Sequence, residues 1–174
     1  LWRETITHAF FPEYKEDVDK GLYRRSLYTF WKRNAPAPAM LIFDASNRSE
    51  CMVQRQRSNT PLQALVLMNS PQILEACRVL SEKALRQYPQ DKIKALDHTV
   101  LAVLGRLPTN PEREILIRQF KEERSYFSKE PAEARKYLKI GHSVLPSDIS
   151  FLDTAALARV ANTVLNSTEA YYKN

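Results

Sequence analysis

The chain has 174 residues, 44% of them hydrophobic and 26% charged, which is the size and make-up of one globular domain rather than of a disordered or fibrous segment. Three glycines against ten prolines argue against a Gly-rich nucleotide loop and for helices that begin at prolines. The net charge of +6 admits an acidic partner, although a solvated basic face accounts for it equally well, and no apolar run approaches the roughly 20 residues that a bilayer crossing requires.

Residues 1–21 hold Trp2 and the pair Phe10-Phe11, then an acid-rich stretch from Glu13 to Asp19, and read as an arm with its apolar residues turned inward. Leu22 to Arg33 can be drawn as a helix through Leu22, Leu27, Phe30 and Trp31, or in part as a strand; periodicity leaves both open. The alternation Asn34-Ala35-Pro36-Ala37-Pro38 ends any helix and predicts an extended crossing, followed by a short strand or apolar plug at Met40 to Phe43. Asp44 to Asn59 is polar and without glycine, so its backbone groups need side-chain partners wherever they are buried.

Helical signals then take over. Thr60, Pro61 and Gln63 form a capping box at a helix start, and the run from Leu62 to Met68 is apolar on most sides, as expected of a central post. Asn69-Ser70-Pro71 repeats the start, with a second helix or a kinked continuation from Pro71 to about Tyr88 that places Cys77 in the core. Asp91 to Leu104 follows, stopped by Gly105 and Pro108; a further helix begins at Thr109 with Glu112 and carries Leu116, Ile117, Phe120 and Phe127 inward. A short helix over 131–140 closes at Gly141, and a last one is expected from about Ile149 to Tyr171, with small alanines that permit close contact. The fold expected is all-α: a single domain over 1–174, with the arm at 1–21, an Arg/aromatic segment at 22–60 and an irregular bundle of about five helices at 61–174.

The chemistry is concentrated in Leu22 to Thr60, where seven bases (Arg24, Arg25, Lys32, Arg33, Arg48, Arg55, Arg57) face two acids (Asp44, Glu50), so that nearly all the excess positive charge is local. Aromatic faces interleaved with guanidinium forks suit an anionic or sugar ligand, and Tyr28, Trp31, Arg33, Arg48, Arg55 and Arg57 are the candidate binding residues. The competing role for the same arginines is to satisfy buried carbonyls of an irregular segment. Cys51, flanked by arginines that would favour its thiolate, and the acids Asp44 and Glu50 are the weaker candidates for catalysis; the acids equally suit holding arginines in place. His8, Cys51, Cys77, His98 and His142 have no metal-ligand or haem-attachment spacing, so neither a metal nor another cofactor is expected within the segment. Nucleic acid is disfavoured because no recognition motif accompanies the charge.

The run RRSLYTFWKRNAPAPAMLIFDASNRSECMVQRQRSNTPLQALVLMNSPQ (Arg24 to Gln72) closely resembles the C-terminal signature of the planctomycete-specific domain (PSD) family of unknown function. The resemblance continues more loosely through LGRLPTNPE (Leu104 to Glu112) to ARVANTVLNSTEAYY (Ala158 to Tyr172), with Ser46, Ser58 and Ser70 departing from the usual proline, threonine and acid. It implies a module of a large secreted or periplasmic bacterial protein, with a c-type haem elsewhere in the parent chain. The opening at Leu1 fits a C-terminal portion of such a protein. Partners would be upstream domains of the same protein, another subunit or an anionic glycan. The family carries no established activity, so no catalytic residue transfers. The function expected is a non-catalytic binding or assembly module working through a basic aromatic surface; the alternative is part of an extracytoplasmic redox or polysaccharide-degrading enzyme with a site around Asp44, Glu50 and Cys51.

Overall fold

The structure, a computed structural model, describes residues 36–46 and 57–172 and the isolated positions 21, 23, 31, 51, 53 and 54. Among these, regular structure is entirely helical: α1 (Pro38–Ile42), α2 (Pro61–Asn69), α3 (Pro71–Gln87), α4 (Lys92–Leu104), α5 (Asn110–Lys129), α6 (Pro131–Leu138), α7 (Phe151–Leu165) and α8 (Thr168–Tyr171). The chain divides into two compact units, Leu1–Val66 and Leu67–Asn174, and it is all-α as the sequence predicts.

Proline sets many of the helix starts. It occupies the first or second position of α1, α3, α5 and α6, where its missing N–H costs nothing and its fixed φ suits the helix. This corrects the expectation of a strand or plug at Met40 to Phe43. Pro38 starts a helix there instead of preventing one, and the Ala37 carbonyl accepts from Met40 N at 2.9 Å and Leu41 N at 3.3 Å. Between α2 and α3, Ser70 is held extended (φ −67°, ψ 119°) by the proline after it, so α3 is a second helix and not a kinked continuation of α2.

In the trailing unit the post is α7, against which α3, α4, α5 and α6 all pack. Ala155, Ala156, Ala158 and Ala161 are fully buried and let those helices approach closely, while Leu157 and Val160 meet Leu85, Leu96, Val100, Phe127 and Leu138. Each of these large side chains contributes about 1.5–3 kcal/mol through burial. The expected post, α2, is different: Gln63 and Leu67 are buried, but Leu62, Leu65 and Met68 are each more than half exposed. An apolar run does not by itself mark the most buried helix.

The last helix also ends sooner than its pattern predicts. The Asn166 N–H still bonds to the Asn162 carbonyl at 3.0 Å, but the Ser167 N–H and Oγ both turn to the Val164 carbonyl, at 3.1 and 2.7 Å, an acceptor that the Thr168 N–H would use in a continuing helix. α8 is a separate turn restarted at Ser167.

Candidate functional site

The most informative site in the leading unit grows from the end of α1. The Asp44 N–H donates to the Leu41 carbonyl at 3.0 Å and the Ala45 N–H to the Met40 carbonyl at 2.9 Å. This is the Schellman arrangement, with Asp44 at the left-handed position (φ 57°) that glycine usually fills. An aspartate there carries a backbone cost of about 1 kcal/mol. What it provides in return is a carboxylate aimed at a distant piece of chain. Asp44 Oδ2 accepts from the Ser58 backbone N–H at 2.7 Å, and both carboxylate oxygens accept from Ser58 Oγ, at 2.8 and 2.9 Å.

Gln63, only 2% exposed in the first turn of α2, completes the knot. Its Nε2 donates to the Ile42 carbonyl at 2.9 Å and to Ser58 Oγ at 3.2 Å, while its Oε1 accepts from Thr60 N at 3.2 Å. The last of these is half of the predicted capping box. The first two tie the end of α1 to the start of α2, so the chain between Asp44 and Ser58 forms a loop fixed at its base. The described residues of that loop beyond Ala45 (Ser46, Cys51, Val53, Gln54 and Arg57) are all exposed, Val53 completely.

Of the predicted binding residues, Arg57 is exposed on this loop and Trp31 is half-buried; Tyr28, Arg33, Arg48 and Arg55 lie outside the described residues, as does Glu50. Cys51 is an exposed free thiol and Cys77 a buried one. Burial pushes the Cys77 thiol up to about 11, partly offset by a hydrogen bond from Asn162. Asp44 uses its carboxylate as an acceptor for Ser58. Among the described residues, no cluster of three or more His, Cys, Asp or Glu side chains is placed to hold a metal ion, and no helix is long and apolar enough to cross a membrane.

A second polar site, which pattern reading missed, lies in the trailing unit. Arg78 is 1% exposed on the inner face of α3. Its guanidinium donates to Glu82 Oε1 at 2.7 Å and to the Ser143 carbonyl and Oγ at 3.0 and 2.7 Å, with Glu75 3.8 Å away. Glu75 in turn accepts from the Ser143 backbone N–H at 2.6 Å. Gly141, at φ 97°, lies against the Glu75 side chain where any Cβ would collide. A surface pair, Arg86 with Asp148, makes two 3.0 Å bonds further along the same loop and holds the Asp148 carboxyl below its usual range. Together these contacts fasten the α6–α7 connection to α3. The signal available in sequence was the i, i+3 and i+7 spacing of Glu75, Arg78 and Glu82 on the same side of the helix as Ser81 and Leu85.

Asp44, Gln63, Glu75 and Arg78 thus act as clamps: side chains on or next to helices grip backbone groups distant in sequence. They belong to an all-α chain with exposed residues between Asp44 and Ser58. Residues 4–120 match the family model described as PSD1, protein of unknown function (DUF1553), and the chain belongs to that family. The match includes Arg24 to Gln72 and Leu104 to Glu112 and ends before Ala158 to Tyr172. No curated protein and no solved structure matches the chain.

Proposed function

We propose that this chain is a non-catalytic binding or assembly module of an extracytoplasmic bacterial multidomain protein, and that its basic aromatic segment, Leu22 to Thr60, docks an acidic face of a neighbouring domain or subunit. The observation that carries this reading is the loop between Asp44 and Ser58, fixed at its base by Asp44 and Gln63 while Val53, Gln54 and Arg57 stand in solvent. A fixed base lowers the ordering cost of binding, and a fully exposed valine among arginines supplies an apolar contact inside an electrostatic one. The extracytoplasmic setting rests on the company implied by the family resemblance.

The test uses two soluble polyanions, poly-glutamate and polygalacturonate, titrated into the full chain at low and moderate salt. Poly-glutamate is expected to bind more weakly as salt rises, and a triple charge reversal at Arg48, Arg55 and Arg57 is expected to weaken it at least tenfold. The matched control reverses Lys83, Arg118 and Lys121, which lie on exposed helix surface of the trailing unit. Equal losses in the two triple variants would reduce the effect to net charge and sink the proposal. Binding of polygalacturonate alone would reassign the surface to an anionic glycan.

A further inference from the structure

The trailing unit holds a cavity of about 190 Å³, open to solvent, whose apolar wall is formed by Val100, Leu104, Leu116 and Val164 from α4, α5 and α7. Glu112 and Glu169 line the same space. Its edge carries an exposed apolar side chain: Ile115, which lines it, is 54% exposed.

The charges at its edge run against those of the whole chain. Glu112 and Glu169 share one guanidinium: Arg106 bonds to the two oxygens of Glu112 at 2.8 and 2.8 Å and to those of Glu169 at 2.8 and 2.7 Å. The lining residues include these two carboxylates and no base. With Arg106 counted, the cluster keeps one net negative charge, so on a chain of net charge +6 the groove has a mildly acidic edge and an apolar interior.

We propose that this groove is a docking site for a short basic segment of a partner protein, which inserts one bulky apolar side chain over Val100 and Leu116 and sets a flanking lysine or arginine against Glu112 and Glu169. The size of the groove favours this occupant over a second copy. A stable dimer buries about 800 Å² on each partner, far more than a cavity of this size edged by one exposed isoleucine supplies. One inserted anchor with a charged flank is the arrangement in which a small surface gains both affinity and orientation. This site lies wholly within the trailing unit and shares no residue with the segment from Asp44 to Ser58, so either proposal stands if the other fails.

The experiment titrates the ¹⁵N-labelled full chain with a capped peptide carrying one phenylalanine between lysines. Two controls replace the phenylalanine by serine or the lysines by glutamates. Expected are amide shifts confined to the neighbourhood of Val100, Leu104, Ile115 and Val164, with affinity at least fivefold lower for either control peptide. Ile115→Lys, at an exposed position, is expected to weaken the lysine peptide tenfold or more while leaving amide shifts elsewhere unchanged. The proposal is overturned if millimolar peptide produces no localised shift, or if the glutamate peptide binds as well as the lysine one. It is also overturned if these amides move on dilution without peptide, which would assign the groove to a second copy.

Discussion

Replacing Arg78 by methionine is the sharpest test of how the trailing unit is held together. Methionine keeps most of the volume and the helix propensity of arginine, so the change removes charge and donors from a site that is almost fully buried. Three short bonds are lost, to Glu82 and twice to Ser143, and Glu82 is left as a 5% exposed carboxylate without its 2.7 Å counter-ion. Breaking one side of a buried ion pair costs about 3–5 kcal/mol. Against the roughly 5–15 kcal/mol that stabilises a typical domain, this is a large share. With a urea dependence near 2 kcal/mol/M, the unfolding midpoint should fall by about 1.5–2.5 M. Urea denaturation followed by amide signals of α3 and α7 reads this directly. The triple variant with Arg78→Met, Glu75→Gln and Glu82→Gln should recover much of the loss, because it removes the stranded charge as well. If Arg78→Met shifts the midpoint by less than 0.5 M, on the order of 1 kcal/mol by the same conversion, the cluster does not fasten the α6–α7 connection to α3.

The same geometry sets other outcomes. Gly141→Ala should destabilise the trailing unit by about 2–4 kcal/mol in the same denaturation assay, since a Cβ at φ 97° is strained and also meets Glu75. Asp44→Ala should cost about 1–2 kcal/mol through the lost bonds to Ser58 and should speed tryptic cleavage after Arg57, whereas Asp44→Asn should be milder because its side-chain oxygen still accepts. The Arg106 guanidinium, with the Thr109 N–H, holds the Glu112 carboxyl down to about 2. This lowered value means that the stabilisation is fully present above pH 4.5, the ordinary value, and is lost as pH falls through about 2; carboxyl NMR titration should show this, and Arg106→Gln should return Glu112 towards the ordinary range. Disulfide-exchange reagents should modify Cys51 at once and Cys77 only on unfolding, as its burial and raised pKa require.

Much of the helical architecture was legible because it is written in local signals. Pro61, Pro71, Thr109 with Glu112, and Gly105 in its left-handed conformation (φ 74°) each act within a turn of the backbone they control, so a short window of sequence contains both the signal and its effect. The misplacements arose where the deciding interaction was of another kind. At Pro38 the same residue type ends a helix or begins one according to the residues on its C-terminal side. At α2, six nearly consecutive apolar residues carry no period, so the buried side could not be told from the exposed one. At Ser167, a hydroxyl and an N–H that both turn to the Val164 carbonyl end the helix within a favourable pattern.

The clamps were beyond reach for a further reason. Asp44 and Ser58 are fourteen positions apart, Gln63 and Ile42 twenty-one, and Glu75 and Ser143 sixty-eight, so no window of periodicity contains both partners. Their common form has one cause. A chain with three glycines has few residues that turn tightly without strain, and its connecting segments therefore need a side chain from a helix, or from the turn that ends one, to hold their backbone groups. Asp44 is the clearest case: it accepts the left-handed backbone that glycine would take freely, because glycine could not also reach Ser58. A glycine introduced there would relieve the turn and give up all three bonds to Ser58, so the backbone cost at Asp44 is offset by the contact that no glycine can make.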